Sequence, residues 1–417
     1  MNTASFESCF RSKIPFSFGT KEYSAYEAML PVLLRRMRMP HSIPNIVSLG
    51  DPEQDGDDQL ADIVLCHLHS MGVLNYMGSI ANHHPSDKRA NFLRTQHFLL
   101  GTPEVLVAAG TDGTGGREHR ALYYHELQNQ TFDDQEWNKN DHIDGHRLLH
   151  QILNNTTTSN KVSILNTSSF QDLSEYFKTQ DDQTLRERIG KVVSQGGYKI
   201  EYGLPQPDLT AMNNKFNPEA ATYVTTRLGK LNIPSDAWGK QVAAAAALDR
   251  DFLKTLPGPL GYHIGWLADR KDYKYYFDAL HQPFMPHLGK EWLLEIYMGI
   301  PRDSKEFQEI LSQPLPFQTF LKAAKYPAYD ACAAIGTLDP EILRCLGILE
   351  PSTGLGQVQT HRLDKGCTNI YVQESRGKDT DLKSPIFFAN LQCQLRYFQA
   401  AVAIFEDGRR LQKGVKP

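Results

Sequence analysis

Four aspartates lie between positions 51 and 58, directly after an apolar, β-type run at 43–49. They are Asp51, Asp55, Asp57 and Asp58. Carboxylates at this spacing repel one another, so a folded protein retains them where a cation or a polar ligand offsets the cost. A hard divalent cation, which prefers oxygen ligands, fits such a cluster. The sequence therefore predicts a metal site on this segment.

Two interpretations of the aspartate-rich loop predict different structures. By spacing, the loop approaches a calcium-binding helix-loop-helix, with Asp51 and Glu53 at ligand positions and Asp62 closing the loop. The preceding residues argue against that motif, because Pro44 and a β-branched run are typical of a strand and not of an incoming helix. The second interpretation is a strand that ends in an acidic loop and opens a helix over 59–69. It places the carboxylates at the carboxyl end of a sheet strand, where α/β folds bind ligands, and we favour it.

Further polar segments follow later apolar runs. The chain reads Gly-Ser-Ile-Ala-Asn at 78–82, Val-Ala-Ala-Gly at 107–110, Ile-Leu-Asn-Thr at 164–167, Asn-Asn-Lys-Phe-Asn-Pro-Glu-Ala-Ala at 213–221 and Tyr-Pro-Ala-Tyr-Asp-Ala at 326–331. Together with the acidic loop, these segments resemble the motifs of the nucleoside hydrolase family and occur in the family's order. The resemblance covers residues 43–334 and is closest in character to a divergent branch of the inosine/uridine-preferring type.

The resemblance implies a fold class and a domain organisation. The fold is α/β, with an open, mainly parallel sheet flanked by helices, a Rossmann-like core and a more helical second half. The β and α signals alternate over 43–221, as such a sheet requires. We expect an N-terminal extension at 1–40 and a single α/β domain at 41–417, with its motifs at 43–334 and a helical or irregular C-terminal part at 335–417.

The resemblance also implies roles for individual residues. One Ca²⁺ ion is bound by oxygen ligands from Asp51, Asp58, Asp330 and the backbone carbonyl of Thr167. Asp51 is in addition the general base that activates a metal-bound water. The substrate-binding residues are Asp57, Asp58, Asn82, Asn213 and Asp330, of which the two asparagines are expected to donate to ribose. The resemblance gives Asp55 no role.

Three positions depart from the family's pattern, and two others agree with a divergent branch of it. Leu49 replaces the first aspartate of the opening motif, and Tyr329 replaces the histidine that serves many members as general acid. Tyrosine can donate a proton, so Tyr329 is a catalytic candidate. Ala211 replaces a glutamate that contacts the 5′ end of the sugar, which leaves room for a different 5′ substituent. His263, with Lys240, falls where the divergent branch often carries a histidine and a basic residue.

Composition limits the partners and the compartment. The chain has 417 residues, 41% of them apolar, and a net charge of −4 with scattered Lys and Arg. We therefore expect a small-molecule, nucleoside-like partner and no nucleic acid or membrane, with a homo-oligomer left open. Six cysteines without paired spacing indicate a reducing compartment. Without a signal-type start or an apolar stretch of membrane length, we expect a cytoplasmic protein. An effector delivered into a host cell would share these properties.

The sequence-based expectation is thus a Ca²⁺-dependent hydrolase that cleaves the N-glycosidic bond of a nucleoside or nucleoside-like compound into ribose and base. Two alternatives stay open. One is an N-glycosidase that acts on a nucleotide or dinucleotide, which Ala211 would permit. The other is a catalytically inactive, calcium-binding effector or interaction protein of the same fold, which Tyr329 and Ala211 motivate.

Overall fold

The computed structural model describes twelve stretches of the chain. They are residues 3–14, 18–19, 21–38, 43–53, 56–113, 143–201, 204–239, 248–250, 258–281, 289–345, 359–362 and 369–372. Asp55, Lys240 and most of the C-terminal part at 335–417 lie outside the described residues.

A nine-stranded sheet in the order β12-β13-β9-β6-β5-β1-β2-β3-β4 forms the centre of the molecule. Its strands are β1 (Asn45–Gly50), β2 (Asn75–Ala81), β3 (Leu106–Ala109), β4 (Ile143–Asp144), β5 (Val162–Asn166), β6 (Ile189–Gln195), β9 (Ser235–Trp238), β12 (Gln359–Arg362) and β13 (Asn369–Val372). Each neighbouring pair is parallel except β12 with β13. Two antiparallel pairs lie apart from it, β7 (Tyr198–Glu201) with β8 (Leu204–Pro207) and β10 (Leu248–Asp249) with β11 (Lys325–Tyr326). The predicted open, mainly parallel sheet is confirmed.

The strand order fixes where a ligand site forms. Strand β1 pairs with β2 on one side and with β5 on the other. The chain therefore adds strands in one direction from β1 to β4 and in the opposite direction from β5 onward. The crevice at such a reversal, outside the carboxyl ends of the strands, is where open α/β sheets bind ligands.

Helices cover both faces of the sheet. They are α1 (Thr3–Ser12), α2 (Lys21–Met37), α3 (Asp57–Ser70), α4 (Ser86–Leu99), α5 (Gly145–Asn154), α6 (Gln171–Thr179), α7 (Asp182–Arg188), α8 (Met212–Phe216) and α9 (Pro218–Leu231). The second half continues with α10 (Gly258–His281), α11 (Lys290–Trp292), a π-helical turn (Leu293–Tyr297), α12 (Lys305–Ser312), α13 (Phe317–Ala323), α14 (Tyr329–Gly336) and α15 (Pro340–Cys345). The more helical second half is confirmed as well.

Three large apolar clusters lie within the described part of the chain. One lies between the sheet and helices α3, α14 and α15, and it includes apolar side chains of α1 and α2. A second fills the opposite face of the sheet under α5, α6 and α9. A third joins α10 to the π-helical turn, α12 and α13. Among the described residues, no helix combines the length and apolar character that a membrane crossing needs.

Candidate functional site

Two helix N-termini bring the acidic residues of the site together. Helix α3 begins with Asp57 and Asp58, and Asp330 is the second residue of α14. The two helices pack against each other, so their first turns meet near the end of β1. The side-chain ligand atoms of these three aspartates all lie within 4.8 Å of one another, and all three residues are buried. The positive end of each helix dipole favours carboxylates at these positions.

Gly50 makes room for the Asp58 carboxylate. A Cβ atom at position 50 would lie 2.6 Å from Asp58 Oδ1 and 3.0 Å from Thr167 Oγ1. Asp58 Oδ1 accepts hydrogen bonds from the Thr167 hydroxyl at 3.0 Å and from the Asp51 backbone N–H at 3.2 Å. The absence of a side chain at the end of β1 therefore lets α3 place its carboxylate over the strand terminus.

Asp51 is buried beside this cluster and is fixed through its main chain. The fully buried Arg89 of α4 donates from Nη1 to the carbonyl of Asp51 at 2.9 Å, and it also donates to the carbonyl of Pro52. These contacts define the path of the loop between β1 and α3. Arg89 belongs to the motif region, but its anchoring role was not predicted from the sequence.

Asn82 has a fixed amide orientation. Its Nδ2 donates to Asp172 Oδ2 at 3.0 Å and to the Ser169 carbonyl at 3.4 Å, while its buried Oδ1 has no hydrogen-bond partner. Asp172 also accepts from the Thr111 backbone N–H at 2.7 Å and hydroxyl at 2.9 Å. Burial raises the pKa of the Asp172 carboxyl above its ordinary value, and these donors counteract part of that rise. The atom of Asn82 left to a ligand is thus an acceptor, where the resemblance implied a donor.

Asn213, like Asn82, donates hydrogen bonds to neighbouring protein groups through its side-chain amide nitrogen. Its Nδ2 donates to the Thr167 carbonyl at 2.6 Å and to Gln195 Oε1 at 2.6 Å. Because the carbonyl oxygen of Thr167 has two lone pairs, it can accept this bond and still bind a cation. These bonds connect α8 to the ends of β5 and β6 and place Asn213 beside Thr167.

Helix α10 contributes two side chains to the acidic loop. His263 Nε2 lies 2.5 Å from Glu53 Oε1, and both residues are fully buried. Two turns later, the buried Lys271 places its Nζ 3.7 Å from Asp57 Oδ1. The sequence singled out His263 through its family position, but it carried no signal for Lys271, which is flanked by the charged residues Arg270 and Asp272.

Tyr329 is half-buried and directly precedes Asp330 at the start of α14. It therefore lies next to one of the three clustered carboxylates. The role of Tyr329 as general acid stays a prediction.

A second group of metal-ligand type, Asp62, Cys66 and His97, is buried between α3 and α4. Here hydrogen bonds already satisfy the carboxylate. Asp62 accepts from Tyr76 Oη at 2.7 Å and from Gln96 Nε2 at 2.6 Å, and His97 Nε2 lies 2.9 Å from Asp62 Oδ1. Burial lowers the pKa of His97, but the charge of Asp62 outweighs it and the pKa lies well above the ordinary value. This network therefore joins α3, α4 and β2.

The donor set around Asp58 fits a metal ion. It combines three buried carboxylates with a neighbouring backbone carbonyl, that of Thr167, and all of these are oxygen ligands. Hard cations such as Ca²⁺ and Mg²⁺ prefer such ligands, whereas Zn²⁺ sites are typically built with nitrogen or sulfur. The structure thus has acidic groups suited to a metal, in the place where the sequence predicted one.

Comparison with known proteins identifies the fold. No protein-family model matches the chain, and no curated protein is significantly similar to it. Among solved structures, the effector protein XOO4466 matches 88% of this chain and 98% of its own, at 17% identity and a TM-score of 0.62. The type III effector protein XopQ, complexed with adenosine diphosphate ribose, matches 89% and 98%, at 18% identity and a TM-score of 0.65.

The chain has the nucleoside hydrolase fold. A plant nucleoside hydrolase, PpNRh1, also matches over 84% of this chain and 98% of its own, at 13% identity and a TM-score of 0.48. At 17% and 18% identity, the likeness to the two effector proteins shows the fold of the chain.

Proposed function

We propose that the protein is a metal-dependent N-ribosyl hydrolase that cleaves a nucleoside or nucleoside-like compound into ribose and base. The observation that supports this most is the convergence of three buried carboxylates, Asp57, Asp58 and Asp330, at the carboxyl edge of a parallel sheet with the nucleoside hydrolase fold. We propose one Ca²⁺ ion as the cation, because the neighbouring donors are carboxylate and carbonyl oxygens. Asp51, Asp58, Asp330 and the Thr167 carbonyl would hold it.

The residues of the chain would divide the reaction between them. A bound cation would supply Lewis acidity that makes a water molecule acidic near neutral pH. The carboxylate of Asp51 accepts the proton of the attacking water. Asp57 and the free Oδ1 of Asn82 accept hydrogen bonds from ribose hydroxyls. Cleavage of the N-glycosidic bond builds positive charge on the ribose, which the surrounding anionic oxygens stabilise. The Tyr329 hydroxyl donates a proton to the departing base.

A second candidate function is a catalytically silent protein that binds a ribosyl ligand. It is supported by the two effectors of this fold that match the chain, one of them in complex with adenosine diphosphate ribose. The replacements at Tyr329 and Ala211 also support it, because each removes a side chain that the resemblance links to catalysis or substrate binding.

The test is base release from purine and pyrimidine nucleosides, a mononucleotide and NAD, followed by chromatography with Ca²⁺ and with chelator. We expect chelator-sensitive release that Asp58→Asn and Asp330→Asn abolish. Asp278→Asn is the matched control, because Asp278 pairs with Lys274 at 3.3 Å, away from the cluster. Tight calcium and adenosine diphosphate ribose binding by calorimetry, without release from any compound, would establish the silent binder instead.

A further inference from the structure

Lys271 places a positive charge against the three clustered carboxylates. Its Nζ lies 3.7 Å from Asp57 Oδ1, and the side chains of both residues are about 95% buried, with exposed fractions of 6% and 5%. The ammonium group also lies 5.3 Å from the ring centre of Tyr326 and 5.8 Å from that of Tyr275. Ring faces attract a cation and hold it away from bulk water. The charge is therefore part of the site and not of the surface.

The balance of charge in the cluster follows from these contacts. Asp57, Asp58 and Asp330 carry three negative charges and Lys271 one positive charge, which leaves two negative charges. Asp51 adds one negative charge, and Arg89, whose buried guanidinium donates to the Asp51 carbonyl, adds one positive charge, so the sum over these six side chains stays at two negative charges. The remaining charge is that of one divalent cation.

We infer that Lys271 is an internal counter-cation that sets the charge of the ion this site accepts. The inference rests on the proposed metal site. With Lys271 present, one divalent ion neutralises the cluster. Without Lys271, the cluster favours a higher ionic charge, so divalent ions bind more tightly and trivalent ions gain even more.

Coulomb's law gives the size of the effect. An ion held by Asp58 and Asp330 directly beside Asp57 would lie about 6 Å or slightly more from Lys271 Nζ, because a Ca²⁺–oxygen separation of about 2.4 Å adds to the observed 3.7 Å. At that distance, even the dielectric constant of bulk water gives a repulsion that weakens Ca²⁺ binding about tenfold. Because the repulsion scales with ionic charge, the same position weakens binding of a trivalent ion about thirtyfold.

The experiment compares Lys271→Met with the wild type by calorimetric titration of Ca²⁺ and by titration of Tb³⁺. Methionine preserves the length and the apolar stem of the side chain but removes the charge. We expect about tenfold tighter Ca²⁺ binding and about thirtyfold tighter Tb³⁺ binding. Lys271→Arg keeps the charge and is expected to bind both ions as the wild type does.

Lys274→Met is the matched control. Lys274 lies on the same helix and 6.0 Å from the Tyr275 ring centre, but its ion pair is with Asp278. We expect it to leave both affinities unchanged. If Lys271→Met does not fold, Lys271→Gln provides a neutral replacement that retains polar character. Folding of each variant is checked by thermal unfolding.

Several results would overturn the inference. Unchanged or weaker Ca²⁺ binding by the folded Lys271→Met protein would do so, and so would equal gains for Ca²⁺ and Tb³⁺, because altered packing does not depend on ionic charge. If neither protein binds either ion, the inference fails together with the proposed metal site. If only the proposed hydrolase activity is wrong, both cations would still bind with the expected affinities, and no base would be released from any compound.

Discussion

Replacing Gly50 with alanine tests the geometry of the carboxylate site directly. The new Cβ would lie 2.6 Å from Asp58 Oδ1, whereas ordinary contact begins at 3.4 Å, so the carboxylate must retreat by about 0.8 Å. That retreat disrupts the hydrogen bonds that Asp58 accepts from Asp51 and Thr167. Loss of two such bonds to a buried charged group costs about 2–3 kcal/mol. We therefore expect about 2 kcal/mol lower stability and at least tenfold weaker Ca²⁺ binding.

The assay is denaturant unfolding together with calorimetric titration of Ca²⁺. Gly289→Ala is the control, because a Cβ at position 289 would have no heavy atom within 4 Å. Both variants add the same methyl group, and they differ only in what that group contacts. If Gly50→Ala unfolds and binds Ca²⁺ like Gly289→Ala, then the Asp58 carboxylate does not lie over the end of β1 and the site has been placed wrongly.

Three further predictions concern the scaffold around the site. His97→Gln should be less stable than the wild type, and the difference in stability should be largest at or below about pH 6.5. The difference should shrink as pH rises, because the raised pKa of His97 stabilises the fold only while the ring is protonated. Thermal unfolding between pH 5.5 and 9 measures this difference, and a difference that grows with pH would contradict the prediction. Gly336→Ala should destabilise by about 2–4 kcal/mol, because its Cβ would lie 2.3 Å from the Trp238 indole; urea unfolding with a midpoint like that of the wild type would contradict it. Asp172→Ala should cost about 2–4 kcal/mol, because it leaves donors of Thr111 and Asn82 unpaired; guanidinium unfolding measures it, and a loss below about 0.5 kcal/mol would show that water replaces the carboxylate.

The order of local motifs was enough to predict the fold. A β-branched run ending in aspartates predicted β1, its loop and the start of α3, and a strand end followed by an asparagine predicted the position of Asn82. These signals are local, because each depends on residues next to one another in the chain. The convergence of Asp330 with Asp58 followed only from the resemblance, since nothing near Asp330 in sequence refers to the acidic loop.

Contacts that depend on the packing of distant helices could not be predicted. Lys271 and Asp172 are charged residues on helices, and such residues are usually solvated. Their burial is decided by what packs over them, and the sequence of one helix does not contain that information. The contacts of the Asn82 amide could not be predicted for the same reason, because its orientation is set by Asp172, which lies on a later helix.

The packing of α1 and α2 has a consequence for where the chain can be shortened. Phe6 and Phe10 of α1 and Tyr26 and Leu30 of α2 are buried in the cluster that also contains apolar side chains of α3 and α14. A protein that begins at the first motif, near residue 43, would leave part of this apolar cluster exposed to water. Such an exposed apolar patch promotes self-association. Expression of the motif region without its first forty residues should therefore give aggregated protein, even though every residue of the candidate site would be present.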